Sequence, residues 1–207
     1  MREFPGKYFE LAIVDPPYFA EANTHYHNGG SYSSTGVKRK NYKKSVSWEV
    51  PDNTYYKELC RISKHQIIWG INYFSDFDNV PCGRIVWDKQ RAGLIKSFSD
   101  GEIASCSLIK GVRIFRYRWD GMLQGNMKNR EHKFHVTQKP VALYYWILNN
   151  YASPRDKIID THVGSASSLI AAYDMGFDFI GFEIDPDYCA MANQRLDEFK
   201  AQVSLFR

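Results

Sequence analysis

Short apolar runs alternate with longer segments of mixed polarity along most of the chain. The runs have the length of buried strands, and they cover residues 9–15, 65–70, 83–89, 157–160 and 177–185. Between and after them, helices are predicted at 52–63, 140–151, 165–175 and 187–202. This alternation predicts an α/β fold, in which a largely parallel sheet is covered by helices on both faces.

Two further segments, 102–109 and 112–119, alternate between apolar and polar positions. This pattern predicts a hairpin or two adjacent strands, with Lys110 and Gly111 at the turn. The polar sequence at 19–50 predicts a long loop, and a loop of this length in a compact domain is usually functional or disordered.

The composition narrows the class of protein. The 207 residues fit one domain and include 14 Tyr, 13 Phe and 5 Trp. No apolar stretch approaches the length of a membrane span, and the N-terminus has no signal-peptide core. The 4 cysteines form no C-x-x-C pair, which indicates reduced thiols in a cytoplasmic protein and argues against structural zinc.

Basic residues are concentrated in two segments, although the formal net charge is only +4. The first is VKRKNYKK at 37–44, and the second covers 110–133. A solvated surface and a polyanionic partner both explain such segments, and the sequence leaves the two interpretations open.

The first apolar run ends in the tetrapeptide DPPY at 15–18. Asp15 stands where the strand leaves the sheet, because Pro16 has no N–H to donate to a ladder. Pro16 and Pro17 fix their own φ angles and keep the preceding residues out of helix. The result is a rigid corner with one carboxylate, free backbone carbonyls and the Tyr18 ring. Such a corner suits a ligand that is flat and polar.

A strand, a turn of small residues, a helix and a second strand follow one another in 157–185. Gly164 lets the backbone approach a ligand closely, and the helix N-terminus offers amide donors. Glu183 lies about twenty residues past the turn, where nucleotide-binding units place a carboxylate for ribose hydroxyls. The turn lacks G-x-G-x-x-G, which favours a nucleoside cofactor without phosphates. Asp15, Asp160 and Glu183 all fall at strand ends, where parallel sheets bind ligands.

Three motifs point to a known family, namely DPPY at 15–18, HVTQKP at 135–140 and DTHVGSAS at 160–167. Together they resemble the β-group S-adenosylmethionine-dependent DNA amino-methyltransferases, in which the catalytic motif precedes the cofactor motif. Three more segments also look like phage and bacterial members, WGINYF at 69–74, IVWDK at 85–89 and FSDGEIA at 98–104.

This resemblance implies a Rossmann-like methyltransferase fold with a circularly permuted motif order. It implies a single methyltransferase domain over 1–207, with loops 19–50 and 110–135 as DNA-contacting insertions. The cofactor that it implies is S-adenosyl-L-methionine. The residues that it places on the cofactor side are Asp160, Gly164, Glu183, Thr137, Lys139 and Pro140.

The chain departs from the family pattern at two positions of the cofactor turn. His162 replaces an aromatic residue, and Ala166 replaces a second glycine. We expect His162 to pack against the cofactor rather than to take part in catalysis. Ala166 costs little if its φ angle is negative.

The resemblance assigns catalysis to Asp15, Pro16 and Tyr18. The Asp15 carboxylate and the Pro16 carbonyl accept both hydrogens of an exocyclic amine, which turns the nitrogen lone pair toward the methyl sulfonium. Tyr18 stacks on a base that has left the duplex. D-P-P-Y favours N6 of adenine, whereas S-P-P-Y is commoner in N4-cytosine enzymes. The alternatives are N4-cytosine methylation, RNA methylation and a DNA-binding protein with a decayed cofactor pocket.

The partner that the resemblance implies is double-stranded DNA. Five basic side chains of the first loop are expected to meet phosphates, Lys38, Arg39, Lys40, Lys43 and Lys44. The motifs are too close in sequence for a separate target-recognition domain, so specificity is expected from the loops or from a second subunit in a homodimer. No metal site is expected, because His25, His27 and His132 have no ligand-like partners.

Overall fold

Nine strands and four α-helices form the fold in this computed structural model, which describes residues 1–19, 48–91, 99–120, 123–135 and 137–204. The strands are β1 (Phe9–Val14), β2 (Ser63–Trp69), β3 (Arg84–Asp88), β4 (Gly101–Cys106), β5 (Val112–Arg116), β6 (Trp119–Asp120), β7 (Leu123–Gln124), β8 (Lys157–Asp160) and β9 (Asp178–Gly181). The helices are α1 (Asn53–Ile62), α2 (Val141–Tyr151), α3 (Ser167–Asp174) and α4 (Pro186–Ser204). A short 3-10 helix, Ile71–Tyr73, follows β2.

The main sheet places the first strand beside a strand from the C-terminal part of the chain. Its order is β5-β3-β4-β2-β1-β8-β9, and β6 and β7 form a separate ribbon. β4 runs antiparallel to β2 and β3, whereas the other pairs are parallel. Leu11 of β1 lies opposite His65 on one side and Ile158 on the other. The predicted α/β fold with a largely parallel sheet is confirmed.

The predicted pairing of 102–109 with 112–119 is wrong. β4 and β5 both pair with β3, which lies between them. β4 is antiparallel to β3 and β5 is parallel to it. Alternation in the sequence marks both segments as strands. It does not say which neighbour each strand takes, because that depends on the packing of the whole sheet.

Two acidic residues explain where the first two helices begin. The Asp52 carboxylate accepts a hydrogen bond from Tyr55 N at 3.0 Å, as an N-cap does for α1. At the start of α2, Glu131 Oε1 accepts from Val141 N at 2.9 Å, directly after Pro140. Asp52 is three residues from Tyr55, so this cap can be recognised in the sequence. Glu131 lies ten residues before Val141, in a separate loop.

Alternate residues of β1 face two separate hydrophobic layers. Leu11 and Ile13 pack in a cluster with α2 and α3, whereas Ala12 and Val14 pack in a cluster with α1. None of these side chains is more than 1% exposed. Helices therefore cover both faces at the centre of the sheet, as the sequence predicts.

Among the described residues, nothing covers one face of the sheet at its β5 end. Ile103, Val112 and Ile114 are 37%, 57% and 47% exposed there. Trp87 and Phe115, by contrast, belong to the hydrophobic cluster with α2. Helix cover on both faces is thus a property of the central strands and does not extend to this edge.

The described part of the chain holds neither a disulfide nor a helix that is long and apolar enough to cross a membrane. The cysteines are free thiols, Cys60, Cys82, Cys106 and Cys189. Cys106 is buried in β4, where it packs as a small apolar residue. Within these ranges, apolar packing and hydrogen bonds stabilise the fold.

Acidic side chains follow the carboxyl ends of three strands. Asp15 comes directly after β1, and Asp160 is the last residue of β8. β9 ends at Gly181, earlier than predicted, and Glu183 lies in the segment that follows it. This segment stays close to the end of β8, because Phe182 N donates to the Asp160 carbonyl at 2.9 Å. Parallel neighbours end at the same edge of a sheet, so the acids gather there.

Candidate active site

The DPPY corner holds its carboxylate in a defined orientation. The Tyr18 hydroxyl donates a hydrogen bond to Asp15 Oδ1, and the Asp15 side chain is 13% exposed. A buried carboxylate needs partners, since burial disfavours its charged form. Asp15 therefore stands at the edge of the sheet with one oxygen held by its own motif.

The second oxygen of Asp15 is held by a residue of the HVTQKP motif. Lys139 Nζ lies 2.6 Å from Asp15 Oδ2 and 2.7 Å from Glu102 Oε2. It also donates to the Tyr18 hydroxyl at 3.3 Å. The ammonium group therefore contacts both acids and the tyrosine hydroxyl at once. The side chain that the resemblance places on the cofactor side thus also contacts the DPPY corner.

Two residues of this network, Glu102 and Lys89, were not predicted from the sequence. Glu102 lies in β4 opposite Trp87 of β3, and Lys89 follows directly after β3. Lys89 Nζ is 2.7 Å from Glu102 Oε1. The IVWDK and FSDGEIA segments contain these two residues, so the resemblance marked the segments without giving the side chains a role.

The charges of the network shift one another's pKa values. Burial raises the pKa of Asp15, and the Lys139 ammonium opposes this increase. Burial also disfavours charged Glu102, but Lys139 and Lys89 outweigh it and lower the Glu102 pKa to about 2. The pKa of Lys139 is raised, because two carboxylates overcome the effect of its burial. Lys139 is therefore a charged ammonium between two acids.

Aromatic side chains of the WGINYF segment pack around Tyr18. Tyr73 stacks on it, with 4.9 Å between ring centroids, and Phe74 contacts it edge-on at 6.0 Å. Gly70 has a φ of +68°, and a Cβ at this position would lie 1.9 Å from the Tyr18 ring. A glycine is required here for both reasons. Tyr73 is 41% exposed, so the aromatic group is open to a ligand from outside.

Hydrogen bonds join the turn after β8 to the segment after β9. Glu183 Oε2 accepts from Gly164 N at 2.8 Å, and Oε1 accepts from Asp185 N at 3.0 Å. Gly164 has a φ of +52°, and a Cβ there would lie 3.3 Å from the His135 ring. The predicted glycine and acid are thus in direct contact, and the amides fix the carboxylate while leaving lone pairs for further donors.

Asp160 is buried at the base of this turn. Its Oδ1 accepts from His162 N at 2.9 Å, and its Oδ2 accepts from the Ser168 hydroxyl. Burial raises the pKa of Asp160 to about 7, and the negative charges of Asp15 and Glu183 add to the increase. The two predicted sites, the DPPY corner and the glycine turn, therefore lie close enough to interact electrostatically.

Ala166 does not meet the condition under which it would cost little. Its φ is +60°, in the left-handed region, and it directly precedes α3. A left-handed conformation costs an L-residue about 1–2 kcal/mol, whereas glycine adopts it freely. The backbone of this turn thus keeps the shape of a second glycine although the side chain is alanine.

The two histidines of the cofactor motifs are buried and make packing contacts. His162 packs edge-on against Tyr55, at 5.4 Å between centroids, and burial lowers its pKa to about 4. His135 contacts Trp48 and Tyr188, and burial likewise lowers its pKa to about 4. Both rings are therefore neutral at physiological pH. The His162 ring also has a polar contact, with 3.0 Å between its Nδ1 and the Thr161 hydroxyl.

The remaining residues of the third motif lie beside the glycine turn. Thr137 Oγ1 is 3.3 Å from His135 Nδ1, and the His135 ring occupies the space that a Cβ at Gly164 would need. Pro140 immediately precedes α2. The motif therefore borders both halves of the site, with Thr137 on the glycine-turn side and Lys139 on the DPPY side.

The predicted DNA contacts fall mostly outside what the structure shows. Lys38, Arg39, Lys40, Lys43 and Lys44 lie outside the described residues. Of the second basic segment, Lys133 packs over the Trp119 ring at 3.9 Å, and burial lowers its pKa to about 8. In the same loop, Glu131 Oε2 is 2.7 Å from Arg195 of α4. Part of this segment is therefore structural. Within the described ranges, no group of three or more His, Cys, Asp or Glu side chains is arranged to hold a metal.

Comparisons with known proteins agree with this geometry. A family model described as DNA methylase (N6_N4_Mtase) matches residues 37–194. The type II methyltransferase M.HinfI of Haemophilus influenzae is 22% identical over 240 residues, covering 97% of this chain and 66% of that protein. The DNA adenine methyltransferase YhdJ of Escherichia coli (strain K12) is 39% identical over 67 residues, covering 32% of this chain and 23% of that protein.

Solved structures share the fold across nearly the whole chain. PvuII DNA methyltransferase (cytosine-N4-specific) superposes with a TM-score of 0.58 at 11% identity, covering 98% of this chain and 88% of that one. The complex of M1.HpyAVI with SAM gives a TM-score of 0.51 at 20% identity, covering 91% and 89%.

The chain has a Rossmann-like methyltransferase fold, with the DPPY motif before the glycine turn in the sequence. The chain belongs to the N6/N4 DNA methylase family, whose model covers most of its length. It spans no more than 66% of the length of the two curated relatives described above.

Proposed function

We propose that this chain transfers a methyl group from S-adenosyl-L-methionine to the exocyclic N6 of an adenine in double-stranded DNA. The observation that carries the proposal is the Asp15 carboxylate, which Lys139 and Tyr18 hold at the same sheet edge as the turn after β8. A base amine and a methyl donor must meet within about 3–3.5 Å for transfer, and adjoining sites at one edge allow this.

On the base side, Asp15 and the Pro16 carbonyl are proposed to accept the two amino hydrogens. An exocyclic amine is a poor nucleophile, because its lone pair is shared with the ring. Acceptors in fixed positions draw the nitrogen toward tetrahedral geometry and stabilise the positive charge that develops on it. Tyr18 is proposed to stack on the flipped base, next to the partly exposed Tyr73.

On the cofactor side, the residues present fit a nucleoside. Glu183 is oriented by two amides, and its remaining lone pairs suit ribose hydroxyls. Gly164 keeps its turn free of a side chain, and Asp160 and Thr137 border the same space. Ile184, next to Glu183, is 79% exposed and offers apolar surface for a flat ring. The cofactor, when bound, supplies the methyl sulfonium.

Adenine is proposed over cytosine because of the D-P-P-Y form of the motif. The likeness to a cytosine-N4-specific enzyme concerns the fold alone, at 11% identity. N4-cytosine methylation remains the second candidate, because N6 of adenine and N4 of cytosine are both exocyclic amines. A DNA-binding protein with a decayed cofactor pocket is disfavoured by the hydrogen bond between Gly164 and Glu183.

For binding to DNA, Lys38, Arg39, Lys40, Lys43 and Lys44 are proposed to meet phosphates, and sequence specificity is proposed to come from the loops or from a second subunit.

The test is incubation of the purified protein with labelled cofactor and duplex DNA, followed by nucleoside analysis of the digested product. We expect label in N6-methyladenine, and none with the Asp15→Ala variant. Label in N4-methylcytosine would replace the base assignment. No label in DNA, together with normal binding of S-adenosylhomocysteine, would contradict DNA as the substrate.

A further inference from the structure

We propose that Glu102 is a positioning residue for methyl transfer, which shares the Lys139 ammonium with Asp15 so that the Asp15 carboxylate stays an effective acceptor for the base. Lys89 is the counter-charge that holds Glu102 in place. This inference rests on the proposed function, in which Asp15 binds the exocyclic amine.

The geometry shows that the lysine is shared between the two acids. Lys139 Nζ is 2.6 Å from the Asp15 carboxylate and 2.7 Å from that of Glu102, so neither acid has it alone. The Lys139 side chain is only 3% exposed, and water therefore does little to screen these contacts. An ion pair as buried as this one fixes the direction of both carboxylates.

Counting charges shows why a second acid matters. A carboxylate paired one-to-one with an ammonium is nearly neutralised, and it then attracts a developing positive charge on the base only weakly. Among the described residues, the group holds two ammonium groups and two carboxylates. Glu102 contacts both Lys139 and Lys89, whereas of these two ammonium groups Asp15 contacts the first alone. Because Glu102 draws on the ammonium that contacts Asp15, the Asp15 carboxylate is neutralised less than in a one-to-one pair. Tyr18 contributes a neutral hydrogen bond to Asp15 and leaves this balance unchanged.

The backbone supplies the rigidity that such sharing requires. β3 and β4 are antiparallel neighbours, and Lys89 N donates to the Asp100 carbonyl at 3.0 Å just beyond their ladder. This pairing brings Lys89 and Glu102 side by side, with 2.7 Å between Nζ and Oε1. The Lys89 side chain is 16% exposed, so it connects the buried group to the surface.

The charge of Asp15 also acts on two titratable groups of α2 and β8. Tyr144 of α2 is buried nearby, and the charge of Asp15 adds to the increase in its pKa. Asp160 of β8 is also influenced by the charge of Asp15. Within the described part of the chain, neither side chain forms a hydrogen bond or an ion pair with Lys139. Glu102 and Lys89 can therefore be changed without removing these neighbours.

The experiment compares Glu102→Gln and Lys89→Gln with wild type, and Glu10→Gln serves as the control. Glu10 pairs with Lys64 at the opposite end of β1, far from the DPPY corner. The measurements are kcat and KM for duplex DNA against pH, and the affinity for S-adenosylhomocysteine. Carboxyl-carbon NMR of Asp15, assigned with an Asp15→Asn sample, gives its titration without the need for turnover.

The two variants are expected to shift the Asp15 titration and the acid limb of kcat in opposite directions. Glu102→Gln removes a negative charge, so the Asp15 titration and the acid limb of kcat move to lower pH, while kcat falls about tenfold or more. Lys89→Gln removes a positive charge and moves both to higher pH. S-adenosylhomocysteine affinity stays within about twofold, since the cofactor turn is untouched. Glu10→Gln matches wild type throughout.

Three results would contradict either the role of Glu102 or the proposed function, and they can be told apart. An unchanged Asp15 titration in both variants would show that the charges are not coupled, whatever the activity. A shifted titration with wild-type kcat would show that the sharing of Lys139 has no catalytic effect. Absence of methyl transfer by the wild type would contradict the proposed function, while the titrations would still decide whether Glu102 controls Asp15. If the melting curve shows that Glu102→Gln does not fold, the Asp15 titration in Lys89→Gln tests the coupling of the charges.

Discussion

Replacing Lys139 by methionine tests how much the buried charge network contributes to stability. Methionine keeps the length of the side chain and removes its charge. In the variant, Asp15 and Glu102 face each other without the ammonium that lies between them in the structure. Glu102 keeps its contact with Lys89, but the buried Asp15 carboxylate loses its counter-charge and is repelled by Glu102, which is unfavourable.

The magnitude follows from the burial of the group. Breaking a buried ion pair by removing one partner costs about 3–5 kcal/mol of unfolding free energy. The Glu102 pKa gives a similar scale, because its decrease from 4.5 to about 2 corresponds to roughly 3 kcal/mol. By contrast, Lys64 has a 50% exposed side chain in its pair with Glu10, and Lys64→Met should cost at most about 1 kcal/mol.

The loss should also depend on pH. In wild type, the raised pKa of Lys139 stabilises the fold below pH 10.5, and the lowered pKa of Glu102 stabilises it above pH 4.5, so both contributions are constant from pH 5 to 8. In Lys139→Met, the pKa of Asp15 in the folded state rises further, because the ammonium that opposes the effect of burial is gone. The folded state then binds more protons than the unfolded state, and stability falls as pH rises.

Urea unfolding followed by tryptophan fluorescence at pH 5 and pH 8 measures this difference. We expect Lys139→Met to lose more stability at pH 8 than at pH 5, and Lys64→Met to lose little at either. Equal losses in the two variants, or a Lys139→Met loss that does not change with pH, would show that the network is not the buried charged group described above.

Three further predictions concern the two halves of the site and the DNA. Asp15→Ala should abolish methyl transfer while S-adenosylhomocysteine affinity stays within a few-fold in calorimetry, since Asp15 is assigned to the base; a loss of cofactor binding would refute that assignment. Glu183→Ala should weaken cofactor binding by roughly 1–3 kcal/mol, the scale of a hydrogen bond to a charged group, and an unchanged dissociation constant would mean that this unit holds something else. Each basic side chain that no longer meets a phosphate should flatten the slope of log affinity against log salt by about 0.9, equally for target and non-target duplexes. The variant to titrate carries Ala at Lys38, Arg39, Lys40, Lys43 and Lys44. If its salt dependence has the same slope as that of the wild type, the DNA does not contact this loop.

Periodicity alone gave most of the elements. The strand at 157–160 agrees with the structure, and the helix predicted at 52–63 begins beside its N-cap Asp52, because both depend on neighbouring residues. The pairing of β4 and β5 with β3 was missed for the opposite reason. Which strands become neighbours is decided by the packing of the whole sheet, and no local pattern between 102 and 119 carries it.

The site shows the same division between local and distant causes. The motifs located the turn at Gly164 and the acid at Glu183, which contact each other in the structure. The direction of Lys139 could not be predicted, because its partners Asp15 and Glu102 are far from it in sequence. The sequence also left the φ of Ala166 open, since alanine favours a negative φ and the surrounding turn imposes a positive one.

The pairing of β1 with β8 explains how a chain with this motif order forms one site. The DPPY corner begins at Asp15 and the glycine turn at Asp160, far apart in the sequence. Ala12 pairs with Ile159 in a parallel ladder, so the two strands end at the same edge. Their separation in the sequence is therefore irrelevant to their separation in space. A permuted order of motifs needs only that these two strands remain neighbours, and the hydrophobic packing of β1 on both faces provides for this.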